Sequence, residues 1–131
     1  MAKYFGTDGL RGRVGEDQLL NKKFVTSLAT AIATYAGKGL VLIGRDTRLS
    51  GEWIEDIFIQ VLTNHGIEVK SLGVVPTTAL SYITSRTEAT LGVVITASHN
   101  PEPWNGIKLF CEHGRKLRDE EIRKIERRLE C

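Results

Sequence analysis

Two short apolar runs, Leu40 to Ile43 and Leu91 to Thr96, constrain this chain more than any other feature. Neither alternates polar with apolar side chains, so each reads as a strand covered on both faces, and such a strand needs helices above and below it. The intervening sequence supplies them. Phe24, Leu28, Ile32 and Tyr35 recur at helical spacing, Val25, Ala29 and Ala36 widen the stripe, and Gly37-Lys38-Gly39 ends it. Ser50 is placed to cap a second helix with Ile54, Ile57, Phe58, Val61 and Leu62 on one face, which leaves at Gly66. Pro76-Thr77-Thr78 opens a short third helix carrying Leu80 and Ile83. Asp119 caps a closing helix with Ile122, Ile125 and Leu129 inward and its charges on a solvated face. Further strands are expected near 67 to 74 and 106 to 111. Residues 1 to 21, rich in glycine and charge, read as an extended or looped arm.

Strands alternating with helices of this length predict an α/β fold: a single three-layer domain with a mixed, mostly parallel sheet between helices. A length of 131 residues suits one domain, and no repeat or linker divides it. In such sheets ligands gather outside the carboxyl ends of the strands, which here points to the loops 44 to 51 and 97 to 105. Lys and Arg number 18 against 16 Asp and Glu, a balance that argues against a nucleic-acid partner or a polybasic membrane surface. Any anion site must therefore be local. The start, Met1 to Gly6, lacks the apolar core of a secretory signal, so a cytoplasmic location is expected. Cys111 and Cys131 read as thiols, and Cys111-Glu112-His113 finds no partners at zinc-ligand spacing in His65, His99 or Cys131.

Three segments carry candidate chemistry. In Val94 to Pro101 a buried strand releases into a turn of small and polar residues, which presents Ser98 at the sheet edge. A serine hydroxyl needs a base, a metal or a covalently bound charge to react, and no G-x-S-x-G elbow surrounds this one. On spacing alone, a turn in which Ser98 and Asn100 only satisfy backbone groups is the favoured reading. Asn105-Gly106-Ile107-Lys108 then supplies a reversal that can aim Lys108 back at Ser98, or leave it facing solvent on an edge strand. Phe5 to Gly12 has glycines at a spacing of three, which would let the backbone approach an anion while Arg11 offers its fork. It is not a dinucleotide fingerprint, and Gly39 to Arg45 fails as a phosphate-binding P-loop because Arg45-Asp46 stands where Lys-Ser/Thr is required.

Taken together, Phe5-Gly-Thr-Asp-Gly-Leu-Arg-Gly12, Gly44-Arg-Asp-Thr-Arg-Leu-Ser-Gly51 and Thr96-Ala-Ser-His-Asn-Pro101 with Asn105-Gly-Ile-Lys108 resemble the α-D-phosphohexomutase family, amino-terminal domain, and within it the phosphoglucosamine mutases. The resemblance implies that Ser98 carries a phosphoryl group exchanged with a sugar phosphate through a bisphosphorylated sugar, interconverting hexosamine 6-phosphate and 1-phosphate. It implies that Arg11 and Lys108 stand near the phosphoserine and the reacting oxygens, Lys108 as a candidate for proton transfer, while His99, Asn100 and Arg45 bind oxygens of substrate or phosphate. It also implies Mg2+, held in part by Ser98 through its phosphate and otherwise by an Asp-rich loop of a second domain.

This sequence has no D-x-D-x-D run and no counterpart of the family's later domains, so residues 1–131 resemble the first domain alone. The remaining domains, absent here, are expected partners, and the chain by itself is expected to be inactive. Thr96 and Glu102-Pro103-Trp104 look more like phosphomannomutase/phosphoglucomutase relatives, which keeps that sugar choice open as an alternative. A non-catalytic module binding phosphosugars or a protein is another. Weak self-association is expected if Tyr4 and Phe5, Trp104 or the helix end near Leu129 expose apolar surface.

Overall fold

The computed structural model describes residues 4–6, 9–98 and 100–129. In chain order the elements are β1 (Phe5–Gly6), β2 (Gly9–Arg13), α1 (Lys22–Ala36), β3 (Leu40–Arg45), α2 (Leu49–Asn64), β4 (Glu68–Val74), α3 (Thr77–Arg86), β5 (Leu91–Ile95), β6 (Trp104–Cys111) and α4 (Asp119–Leu129). The strands form one mixed sheet in the order β1-β2-β6-β5-β3-β4. On one face α1, α2 and α4 bury Leu28, Ile32, Phe58 and Ile125 against Val41, Ile43, Val93, Ile95 and Ile107. On the other face α3 sets Leu80 against Val94 and Phe110. Successive residues of β5 therefore enter opposite cores, which is why its sequence is apolar without a break. Each side chain taken fully out of water contributes about 1.5–3 kcal/mol, so the larger core dominates stability.

The sheet is mixed as expected, but its parallel part is smaller than the sequence suggested. Only β4, β3 and β5 run parallel, while β5 with β6, β6 with β2, and β2 with β1 are antiparallel. The physical reason is the connection after β5: segment 96–103 is too short for the crossover that a parallel neighbour requires, so β6 must turn straight back. The amino-terminal arm is also more ordered than a loop. Its residues form β1 and β2, with Leu10 opposite Ile107 and Arg11 opposite Gly106. Glycine and arginine dilute the apolar signal of β2, and pairing with β6 supplies what propensity does not.

Helix starts differ in detail. Asn21 caps α1, its side-chain oxygen accepting from the Phe24 amide at 2.8 Å. Ser50 does not cap α2; Arg48 takes the cap position without a side-chain bond to the helix, and the Ser50 hydroxyl accepts from Asn105 Nδ2 at 2.8 Å. Asp119 is the first residue of α4 rather than its cap, and Glu121 accepts from the Arg118 amide at 2.8 Å. The charges of α4 are not all solvated. Glu126 is buried, and its carboxylate accepts from the Tyr4 and Phe5 amides at 2.6 and 2.9 Å, tying the arm to the last helix.

The expected exposed patches are mostly covered. Phe5 is buried, Tyr4 packs edge-on to Phe24, and Trp104 and Leu129 are half-buried. The exposed large apolar side chains among the described residues are instead Leu49, Tyr82, Val74 and Leu19. No helix of the described residues is long and apolar enough to cross a membrane.

Two predictions follow from α4. Glu126→Ala leaves one buried and one partly buried amide donor without their carboxylate, and we expect a loss of about 1.5–3 kcal/mol in urea denaturation; an unchanged midpoint would contradict the tie. Glu121 is pulled both ways, since burial pushes its carboxyl up while the Arg118 amide and the Arg115 guanidinium, at 3.1 Å, outweigh this and hold it below its ordinary value. A carboxyl lowered in the folded state stabilises above its unfolded value, and that contribution disappears as pH falls through the folded one. Glu121→Gln should therefore be less stable than the parent near neutral pH and converge with it in acid, as read from urea midpoints over a pH series.

Candidate active site

The site forms where β5 leaves the sheet. Ser98 is exposed and has a φ of 56°, a left-handed conformation that a residue with a Cβ rarely adopts. Local bonds hold it there: the Ser98 amide donates to Thr96 Oγ1 at 3.0 Å, and that hydroxyl donates to Asp46 Oδ2 at 2.7 Å. Antiparallel pairing places Lys108 of β6 opposite Val94, and its amine reaches Ser98 Oγ at 3.3 Å. Arg11, one strand further out, donates to Asn100 Oδ1 at 3.4 Å. The sheet thus brings Ser98, Asn100 and Lys108, from one strand exit and the reversal after it, together with Arg11 from a distant stretch of sequence.

Two glycines make this convergence sterically feasible. Gly9 has a φ of 88°, and a Cβ there would run into the Ile107 carbonyl and the Lys108 side chain. At Gly106 a Cβ would meet the carbonyl oxygens of Leu10 and Thr96, so β2, β6 and the β5 exit approach closely only because the side chain is missing.

Arg45 stands apart from that group. Its guanidinium donates to Glu55 Oε1 at 3.2 Å and to the Asp46 carbonyl at 3.2 Å, with Glu52 at 3.9 Å. Glu55, itself buried, also accepts from the Ser71 hydroxyl at 2.7 Å. These bonds brace α2 against β3 and β4. His99 lies outside the described residues. Cys111 is a buried free thiol, and no group of three His, Cys, Asp or Glu side chains that could hold a metal occurs among the described residues.

The family model for phosphoglucomutase/phosphomannomutase, alpha/beta/alpha domain I, matches residues 2–131. The chain belongs to this family. Curated relatives include the phosphoglucosamine mutase of Staphylococcus saprophyticus, 46% identical over 99% of this chain and 30% of that protein. Another, the phosphoglucosamine mutase of Finegoldia magna, is 47% identical over 96% of this chain and 28% of the relative. A Thermus thermophilus protein described as a phosphomannomutase superposes with a TM-score of 0.84 at 31% identity, covering 98% of this chain and 30% of its own. A phosphoglucomutase/phosphomannomutase family protein of Burkholderia thailandensis superposes at 0.82 with 25% identity and the same coverage. The chain spans about three-tenths of the length of these relatives.

The structure brings the loops singled out in the sequence together at the exit of β5, and it adds residues to them that the sequence pattern did not single out. Arg48 and Thr96 bond to Ser98 itself, Asp46 accepts from Thr96, and Asn105 ties the start of β6 to Ser50 of α2. One signal was available: an aspartate two residues before an arginine at a strand exit suits an Asx turn, and here Asp46 Oδ1 accepts from the Arg48 amide at 3.0 Å.

Gly106→Ala tests the packing claim. Because backbone oxygens cannot swing aside as a side chain can, we expect the upper end of overpacking costs, about 3 kcal/mol in denaturant unfolding. A loss within about 0.5 kcal/mol, the usual surface range, would refute the close approach.

Proposed function

We propose that this chain is the amino-terminal, phosphoserine-bearing domain of a phosphohexomutase, acting with further domains to interconvert hexosamine 6-phosphate and 1-phosphate. The observation that carries the reading is the Lys108 amine 3.3 Å from Ser98 Oγ on an exposed strand-exit loop. Phosphoglucosamine mutases at 46% and 47% identity favour the amino sugar over the phosphomannomutase/phosphoglucomutase alternative.

On this reading phospho-Ser98 donates to the free hydroxyl of a sugar monophosphate. The bond from phosphorus to Ser98 Oγ breaks, a bond from phosphorus to the sugar oxygen forms, and the hydroxyl proton ends on Oγ. Lys108 stands where a proton can be delivered to Oγ as it leaves and withdrawn on the return step. The bisphosphorylated sugar turns round, and its other phosphoryl group passes back to Ser98. A phosphoserine has a charge of about −1.5 to −2, and the Lys108 ammonium with the Arg11 guanidinium supplies positive charge beside it. Asn100, oriented by Arg11, and His99 contribute polar contacts to the sugar phosphate. Arg45, committed to Glu55, is proposed to act on phosphate only through the shape of the loop it supports.

The resemblance implies Mg2+, which would neutralise charge during transfer. The described side chains do not make a metal site by themselves, so this chain's share is an oxygen of the phosphate on Ser98. Partners on this reading are the sugar phosphate and the remaining domains. A cytoplasmic setting accords with this chemistry.

In the full-length protein, Ser98→Ala should lower isomerisation of glucosamine 6-phosphate by more than about 10³-fold without loss of fold. Lys108→Met should lower it by about 10²–10⁴-fold. A Ser98→Ala protein that keeps most of its activity ends the phosphoserine reading. The 131-residue chain alone, supplied with Mg2+ and a hexose bisphosphate, should give no turnover by phosphorus NMR, because the groups that position substrate are expected elsewhere.

A further inference from the structure

The most densely bonded side chain near Ser98 is Arg48, at the start of α2, with only 9% of its surface exposed. Its Nη1 donates to the Pro101 and Trp104 carbonyls at 2.8 and 3.1 Å, and its Nη2 to the Ser98 and Asn100 carbonyls at 3.0 and 2.6 Å. Nε donates to Asp46 Oδ2 at 3.2 Å. These bonds use the whole guanidinium fork, and every carbonyl among them belongs to the segment from Ser98 to Trp104. The same Asp46 oxygen accepts from Thr96 Oγ1, which in turn accepts from the Ser98 amide. One buried cation and one carboxylate thus hold the reactive residue from both sides of its peptide.

We propose that Arg48 is a positioning residue for phosphoryl transfer: it does not touch the phosphoryl group but fixes the loop so that Ser98 Oγ faces Lys108. The inference rests on the proposed role of Ser98. Two features favour positioning over general stabilisation. The bonds converge on one surface loop rather than joining distant parts of the core. They also hold Ser98 in a left-handed conformation, a strained state that persists only where its surroundings over-determine it. An ammonium cannot replace the fork, since three donors from one point do not span four carbonyls and a carboxylate.

The test compares Arg48→Lys, Arg48→Met, Thr96→Val and Thr96→Ser in the full-length protein. We expect kcat to fall about 100-fold in the first three, the cost of misplacing a reacting atom by about 1 Å, while KM for the sugar phosphate stays within about threefold. Thr96→Ser keeps the hydroxyl bridge and should restore kcat. Hydrogen exchange of the amides in 97–104 should rise about tenfold or more, whereas β3 and α1 amides stay as slow as in the parent. Should Arg48→Met fail to fold, Thr96→Val tests the same prediction with a smaller change. Unchanged kcat in folded Arg48 variants, a KM rise that accounts for the whole loss, or loop exchange that rises only together with the core would each overturn the proposal. Failure of the Ser98 role is read separately, as retained activity in Ser98→Ala.

Discussion

A strand covered on both faces must give its backbone polar groups new partners as it leaves the sheet, and at the end of β5 one guanidinium takes several of them at once. The four carbonyl bonds of Arg48 cap the loop from Ser98 to Trp104, and Asp46 neutralises the buried cation that makes them. Breaking such a pair from one side leaves either a buried charge or a set of unsatisfied carbonyls, which is why its removal costs far more than its formation contributes. The rest of the site depends on this loop having one shape. Lys108 meets Ser98 Oγ, and Arg11 meets Asn100, only because the turn between β5 and β6 is held fixed.

The antiparallel half of the sheet gives this arrangement its purpose. Parallel strands β3 and β5 form the buried platform with β4 at its edge, and β6 and β2 fold back beside the exit of β5. That reversal brings side chains from strands flanking the exit to the place where α/β sheets collect ligands. Gly9 and Gly106 allow the strands to approach so closely. Fold and site are therefore one construction: the same pairing that completes the sheet also lines the loop with positive charge.

Much of this was legible in the sequence, and the reasons for the exceptions are physical. The buried strands β3 and β5, the helices and the Ser98 exit follow from apolar runs and helical spacing, because burial leaves a direct trace in residue type. β2 left none, since its order comes from pairing with β6 rather than from its own glycines and arginines. Ser98 and Lys108 could be suspected from a strand exit followed by a reversal. Arg48 could not be told from Arg45 by pattern, because only the folded loop decides which guanidinium meets carbonyls and which meets Glu55. Glu126 was hidden likewise: on a charged helix nothing in the sequence marks the carboxylate that turns inward to the Tyr4 and Phe5 amides.

The proposed phosphoryl carrier is Ser98. That role is tested most directly by isolating the full-length protein from growing cells and mapping its phosphorylation by peptide mass spectrometry. We expect phosphate on Ser98, removed when the protein is incubated with an excess of hexosamine monophosphate. Phosphate found only at another serine, such as the Ser50 bonded to Asn105 or the Ser71 bonded to Glu55, or a Ser98 phosphate that the sugar does not take up, would contradict it.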